Sequence, residues 1–303
     1  SRPMAIYEEI FSLQNNLYKK CEKHIETIGK IKPSNFKIRG DISSQFVSGL
    51  LFILPTLDED STIEILGDFE SSEYVDLTIS IMKKFSIYIE RQGNKFFIKG
   101  RQVYSATKIF AETDFSQLAF FAVLGSINND IEIRGINFQS LQPDRRIISV
   151  IDGMGGKIIK NPNSAIFKRS NTIGDIIDVS QSPDIAPIIG VLASKSRGKT
   201  SIVNAKRLVI KESNRLLSTY NSLKLLGVNV EMGDDWLNIY GPNKLRGNIV
   251  CDSYNDHRIA MSLAIAATVS DAPITIENAE AINKSYPDFY KDLESMGVKI
   301  EYL

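Results

Sequence analysis

Cysteine and histidine are nearly absent from this chain of 303 residues, with two of each, and that scarcity narrows the chemistry first. Cys21 and Cys251 are too few and too far apart to suggest a disulfide framework or a zinc site. With only His24 and His257, a histidine-rich metal centre or a paired-histidine mechanism is not expected either. No metal and no organic cofactor are therefore expected, and acid–base work falls to Lys, Asp and Glu. No apolar run is long enough to span a bilayer, and the first residues do not look like a signal peptide. A reducing cytoplasm is the expected location, with no membrane partner. An excess of charge is missing too: Lys plus Arg and Asp plus Glu number 36 each, so nucleic acid is not an expected partner. Any hold on anions must come from local clusters.

What the chain does have is repetition, with a period of roughly 70 residues. Four phrases mark it: Phe85-Ser86-Ile87-Tyr88-Ile89, Met154-Gly155-Gly156-Lys157-Ile158, Leu226-Gly227-Val228-Asn229-Val230 and Met296-Gly297-Val298-Lys299-Ile300. Each closes a helical pattern and then alternates into a strand. Three carry the glycine that a helix C-terminus favours, and Ser86 breaks the rule. Upstream the order is an apolar helix, a short β-branched strand, a loop and an amphipathic helix. In one unit these are Ser44–Leu54, Thr62–Leu66 and Tyr74–Phe85, with Leu77, Ile81 and Phe85 on one face. Two units later they are Ile185–Ala193, Ser201–Val203 and Arg215–Leu226. Hairpins at Gln92-Gly93-Asn94 and Gly233-Asp234-Asp235 end two of the units. The pattern predicts an α/β protein of about four βαβαββ-like units. Residues 2–40, with helix Met4–Leu13 and strand-like Ile25–Ile31 and Phe36–Ile38, read as the remainder of a further unit.

Charges gather in the loops between these elements. Lys211, Glu212 and Arg215 stand before and at the start of a helix, where free N–H groups already favour anions. Lys211 and Arg215 can share a face if that helix begins early. Asp256, His257 and Arg258 lead into the apolar helix Ile259–Ala267. There Asp256 suits a cap and His257 a packed position, while the Arg258 fork suits a carboxylate or phosphate. Asp184 precedes another apolar helix and suits its N-cap. Ser43, Ser44 and Gln45 hold the matching place in the first full unit, and Lys284 precedes the last helix. Loops brought to one end of the repeats would build a cleft rich in cations with a few carboxylates.

Five phrases, in order and along the whole chain, resemble the EPSP synthase family. They are Gly40-Asp41-Ile42-Ser43-Ser44-Gln45-Phe46, Pro183-Asp184-Ile185-Ala186, Val209-Ile210-Lys211-Glu212-Ser213-Asn214-Arg215, Asp256-His257-Arg258-Ile259-Ala260-Met261 and Lys284-Ser285-Tyr286-Pro287-Asp288. The resemblance implies the two-domain enolpyruvyl transferase fold, with pseudo-threefold repeats of βαβαββ units and substrates between the domains. Residues 1–112 would be an incomplete first domain and 113–303 a second domain of three units. It further implies that Ser43, Ser44, Gln45, Ser71, Tyr74, Asp184 and Lys211 hold shikimate 3-phosphate. Arg2, Gln45, Arg215, Arg258 and Lys284 would hold phosphoenolpyruvate. Asp184, Lys211 and Glu212 would be catalytic, Asp184 as proton acceptor and Glu212 in protonating the methylene carbon. The implied enzyme is a monomer.

Two departures lie inside the resemblance: Arg207 replaces a frequent Asn, and Ser72-Glu73 replaces a basic residue and Pro after Ser71. A third is at the front, where the family's Lys-Ser pair, an Arg and an Asn-Ala-Gly-Thr loop would precede Arg2-Pro3. The resemblance thus implies a chain lacking its N-terminal third and impaired in turnover. The alternative functions are a transferase adding enolpyruvate to UDP-N-acetylglucosamine, and a non-catalytic module of the same fold.

Overall fold

The computed structural model describes residues 4–22, 24–40, 44–69 and 71–303. Its internal contacts divide the chain into two compact units, one running to Phe110 and the other Ala111–Leu303.

The first unit opens with helix α1 (Ala5–Leu13) and an antiparallel hairpin of β1 (Leu17–Lys20) and β2 (Ile25–Ile28). The rest follows the order β3 (Asn35–Arg39), α2 (Ser44–Ile53), β4 (Ser61–Leu66), α3 (Ser72–Lys84), β5 (Ile89–Gln92) and β6 (Lys95–Ile98). The sheet order is β3-β4-β6-β5, with β3 parallel to β4 and the other pairs antiparallel. Strand alternation explains its inner face: Phe36, Ile38, Ile63, Ile65, Phe96 and Ile98 point inward at every second position. Phe36–Ile38 therefore opens this unit rather than ending an earlier one, because β3 pairs with β4 along its whole length. Helix α3 also turns a different face inward than expected. Val75 and Met82 are buried and Ile79 packs beside them, whereas Leu77, Ile81 and Phe85 are half-buried. Positions 75, 79 and 82 form their own helical stripe, and that one joins the core of the first unit beside α2.

In the second unit, α4 (Phe115–Ile127), β7 (Ile131–Arg134), α5 (Arg146–Gly153), β8 (Lys157–Lys160) and β9 (Ser164–Lys168) form a three-stranded antiparallel sheet with two helices. Next come β10 (Ile176–Asp178), α6 (Ala186–Lys195), β11 (Gly198–Val203), α7 (Arg215–Leu225), β12 (Asn229–Met232) and β13 (Leu237–Gly241). Their sheet, β10-β11-β13-β12, repeats the order of the first unit. The last stretch is β14 (Ile249–Asp252), α8 (His257–Ala267), β15 (Ile274–Glu277) and α9 (Phe289–Ser295), with β14 parallel to β15. The strand expected over Val298–Ile300 does not form among the described residues. Its backbone pairs with no strand among the described residues, and a strand exists only through such pairing. Helices α4, α6 and α8 are apolar all round and pack on one another, which makes them the interior of this unit. No described helix is long and apolar enough to cross a membrane.

The four repeat-marking phrases share one backbone device. In each, a left-handed residue follows the helix: Ser86 (φ 66°), Gly155 (80°), Gly227 (82°) and Gly297 (91°). The next residue's N–H reaches five residues back, to the carbonyls of Met82, Ile151, Leu223 and Leu293. The left-handed residue's own N–H bonds the carbonyl three residues back, to Lys83, Asp152, Lys224 and Glu294. These paired bonds satisfy carbonyls left over at a helix end. Met82, Ile151, Leu223 and Leu293 are all buried, so each helix stops where its last core side chain is anchored. Ser86 carries a Cβ in this conformation, at a cost of roughly 1–2 kcal/mol relative to a right-handed residue. Ser86→Gly is expected to raise stability by about 0.5–1 kcal/mol in denaturant unfolding, with glycine's greater chain entropy offsetting part of the relief. Gly155→Ala, at a position where a Cβ meets nothing within 4 Å, should lower stability by about 1 kcal/mol through backbone strain alone.

Candidate active site

Every predicted site residue that the structure describes lies in a loop or helix start after a strand of a parallel pair. In the first unit, Ser44 and Gln45 open α2 after β3, while Ser71 and Tyr74 lie at the start of α3 after β4. Ser44 and Ser71 are buried, and Ser71 takes a left-handed backbone with φ 54°. Tyr74 is half-buried and Gln45 is exposed. Arg2 and Ser43 lie outside the described residues. In the second unit, Asp184 follows β10 in the short 3-10 turn Pro183–Ile185. Lys211, Glu212 and Arg215 follow β11, Asp256, His257 and Arg258 follow β14, and Lys284 follows β15. Helices running back along parallel strands leave their N-termini at the carboxyl edge, which is where open α/β sheets bind ligands.

Within the second unit three of these loops meet on Arg215. Its Nη1 donates to Asp184 Oδ1 at 2.7 Å, its Nη2 to Glu212 Oε2 at 2.5 Å and its Nε to Asp256 Oδ2 at 2.8 Å. The Arg215 side chain is 1% exposed and Asp256 is fully buried. Asp184 is a second meeting point. Lys211 Nζ lies 2.9 Å from its Oδ1, and Arg258 Nη2 lies 3.8 Å from its Oδ2. Arg258 is held from behind, donating Nη1 to the Ser116 carbonyl at 3.0 Å and Nη2 to Ser116 Oγ at 2.7 Å. Its Nε is buried with no hydrogen-bond partner among the described residues. Lys284 stands apart from Asp184 and donates to the carbonyl and side-chain oxygen of Asn255, in the loop that leads to Arg258.

Burial and charge set the protonation states together. Burial alone would raise the Asp184 carboxyl, but Lys211, Arg215 and Arg258 outweigh it and hold it well below the usual carboxylate range. Lys211 moves down: burial disfavours its ammonium, and Arg215 adds repulsion that Asp184 only partly offsets. Arg215 moves up, its burial overcome by Asp184, Asp256 and Glu212. Burial likewise opposes ionisation of Asp256, yet Arg215 keeps its carboxyl low. His257 falls to about 4, through burial first and then repulsion from Arg258 and Arg215.

The geometry revises several sequence expectations. Asp184 does not cap α6; no side chain does, and its carboxylate serves the cations instead. Helix α7 begins at Arg215, so Lys211 is not on its face, and the two cations meet by sharing Asp184. Asp256 is the cap of α8, accepting from Arg258 N at 2.9 Å, but it also carries Arg215 and Ser213. Lys211, Arg215 and Arg258 each meet a carboxylate among Asp184, Glu212 and Asp256, and the buried Arg207 adds a further positive charge that acts on Lys211. Sequence reasoning missed Ser116, and it assigned no role to Ser213 or Asn255, although both stand in the charged loops it singled out; all three orient the charged groups. For Ser116 the readable signal is Asp114 two residues earlier, a helix cap.

The His257 shift has a measurable consequence. A histidine held neutral when folded and free to protonate when unfolded stabilises the protein fully above pH 6.5. That contribution is lost as pH falls from 6.5 toward 4. Between pH 7 and 5 the loss should be ~2 kcal/mol. His257→Gln should flatten the stability profile over that window in denaturant titrations.

A family model described as EPSP synthase (3-phosphoshikimate 1-carboxyvinyltransferase) matches residues 10–293. A 3-phosphoshikimate 1-carboxyvinyltransferase of Clostridioides difficile is 44% identical over 303 residues, covering 99% of this chain and 69% of that protein. Its counterpart in Clostridium acetobutylicum is 45% identical over 300 residues, covering 98% and 69%. Among solved structures, an EPSP synthase from Acinetobacter baumannii superposes with TM-score 0.79 at 22% identity, over 99% of this chain and 72% of that one. The enolpyruvyl transferase NikO from Streptomyces tendae superposes with TM-score 0.82 at 14% identity, over 100% and 73%. These two likenesses show a shared fold, and the family match with the curated relatives shows descent: the chain belongs to the EPSP synthase family of transferases.

Proposed function

We propose that this protein moves the enolpyruvyl group of phosphoenolpyruvate to the 5-hydroxyl of shikimate 3-phosphate, releasing phosphate. The observation that supports it most is the convergence of Lys211, Arg215 and Arg258 on the single carboxylate of Asp184. Two small anions need a dry, preorganised set of cations, and a carboxylate among them can orient an attacking hydroxyl. In the reaction the 5-oxygen bonds to C2 of phosphoenolpyruvate while C3 gains a proton. The tetrahedral adduct then expels phosphate, and loss of a proton from C3 restores the double bond.

Asp184 accepts the hydrogen bond of the attacking hydroxyl. While its cations are unsatisfied it is a weak base, and bound phosphates would neutralise those cations and raise its proton affinity. Lys211, shifted downward by burial, gives up its proton more readily than an exposed lysine does. Glu212 is assigned to the methylene carbon. Arg258 offers phosphoenolpyruvate its unused Nε, a buried donor that an incoming carboxylate would satisfy. Arg215, already shared among three carboxylates, acts chiefly by holding the loops, and Lys284 adds charge from the neighbouring turn. Ser43, Ser44, Gln45, Ser71 and Tyr74 are assigned to shikimate 3-phosphate, and Arg2 and Gln45 to phosphoenolpyruvate. The protein works as a cytoplasmic monomer, without a nucleic-acid partner.

Phosphate release from phosphoenolpyruvate tests the reading directly. It is expected with shikimate 3-phosphate and not with UDP-N-acetylglucosamine, and release with the UDP-sugar alone would reverse the assignment. Asp184→Asn should lower kcat about 10²–10⁴-fold, with unfolding behaviour showing a retained fold. Arg258→Lys should weaken phosphoenolpyruvate more than shikimate 3-phosphate, because an ammonium cannot replace the planar fork.

A further inference from the structure

The hairpin of β1 and β2 lies outside the charged cluster and carries a set of donors that the reaction does not use. Its register pairs Leu17 with Ile28, Tyr18 with Thr27, Lys19 with Glu26 and Lys20 with Ile25. Continuing that register one step sets Cys21 opposite His24, and the turn is closed by Cys21 N donating to the His24 carbonyl at 2.9 Å. Directly opposed residues share a face of a hairpin, and so do residues two apart on one strand. Cys21, His24 and Glu26 therefore project on one side. Their ligand atoms lie within 4.8 Å of one another. Both contacts run to a single oxygen: Cys21 Sγ is 3.7 Å and His24 Nε2 is 3.0 Å from Glu26 Oε1. The other oxygen, Oε2, faces Lys19 Nζ at 3.8 Å, which leaves Oε1 to the sulfur and the imidazole.

We propose that Cys21, His24 and Glu26 form a three-ligand site for a borderline-soft divalent metal ion, zinc first among them, with a fourth position open to solvent. Tetrahedral zinc, with bonds of about 2.3 Å to sulfur and about 2.0 Å to nitrogen and oxygen, needs S···O and N···O edges of roughly 3.5 and 3.3 Å. The observed 3.7 and 3.0 Å require only small side-chain adjustments to meet them. Thiolate and imidazole select zinc, cobalt or copper over magnesium and calcium, which take oxygen ligands. His24 and Glu26 have 61% and 48% of their side chains exposed, so an ion can enter without opening the core. Binding displaces the thiol proton to solvent and ties the two strand ends together, which stiffens a two-stranded ribbon that is marginal by itself. Cysteine count and spacing pointed away from a metal because they counted pairs of like ligands. A mixed set spread over six residues of a hairpin leaves no such mark.

Cobalt(II) titration of the chelator-stripped protein, read by absorption, tests this. One equivalent should produce a thiolate-to-cobalt charge-transfer band and the intense visible bands of a tetrahedral ion, displaced by zinc and untouched by excess magnesium. Cys21→Ser should abolish the thiolate band, and His24→Gln and Glu26→Gln should each weaken binding at least tenfold. Cys251→Ser, by contrast, should leave the spectrum unchanged, since that thiol is buried on β14 and pushed up to about 11 by burial. Absence of a thiolate band at excess cobalt, its persistence in Cys21→Ser, or unchanged affinity in His24→Gln would each overturn the site. All four positions are read against the unfolding curve of the parent protein, so a misfolded variant is recognised as such.

Discussion

One buried guanidinium organises the charged loops of the second unit. Arg215 is almost fully enclosed and gives each of its three nitrogens to a different carboxylate, Asp184, Glu212 and Asp256. These come from the loops after β10, β11 and β14. Removing one partner from such a buried set costs several kcal/mol, because the remaining charge has no water to turn to. The set must therefore persist as a whole or not at all. Its persistence holds Asp184 beside Lys211 and Arg258, and holds Asp256 over the first turn of α8.

The repeat explains why such a cluster can form from residues up to 74 positions apart, the separation of Asp184 and Arg258. The repeats built on α2, α6 and α8 start their buried helix at the carboxyl edge of a parallel strand, and all four repeats end their second helix with the same left-handed turn. Three apolar helices, α4, α6 and α8, pack on one another and bring the edges after β10 and β14 together beside the start of α4. Ser116 on α4 holds Arg258 on α8, which in turn reaches Asp184 ahead of α6, so the packing of the helices and the placing of the charges are one arrangement. Membership of the EPSP synthase family fits this economy, since a repeated scaffold supplies many loops while each loop contributes one or two charges.

Much of this was legible in the sequence where a residue type has a local mechanism. Gly155, Gly227 and Gly297 announced their helix ends, and the apolar character of α4, α6 and α8 announced burial. Asp256 was readable as a cap. Three things were not readable. The inward face of α3 was misjudged because Leu77, Ile81 and Phe85 are as apolar as Val75, Ile79 and Met82, and only the packing of the folded unit decides between the stripes. Hairpin strand β1 carries just Leu17 and Tyr18 as apolar residues and shows no alternation long enough to notice. The pairing of charges was hidden as well, because spacing identifies which side chains are ionic but not which of them meet. Asp184, plausible as a cap, became a partner of cations only through contact with residues distant in sequence.

The account rests on Asp184 and Asp256 being tied together through Arg215, and a double-mutant cycle measures that tie. Unfolding free energies of Arg215→Met, Asp256→Asn and the double variant are to be compared at neutral pH. The double variant should be less destabilised than the sum of the singles by at least ~1 kcal/mol, because each single leaves the other charge buried alone. Strict additivity would show that the two groups do not depend on each other, and the cluster would then have no organising residue.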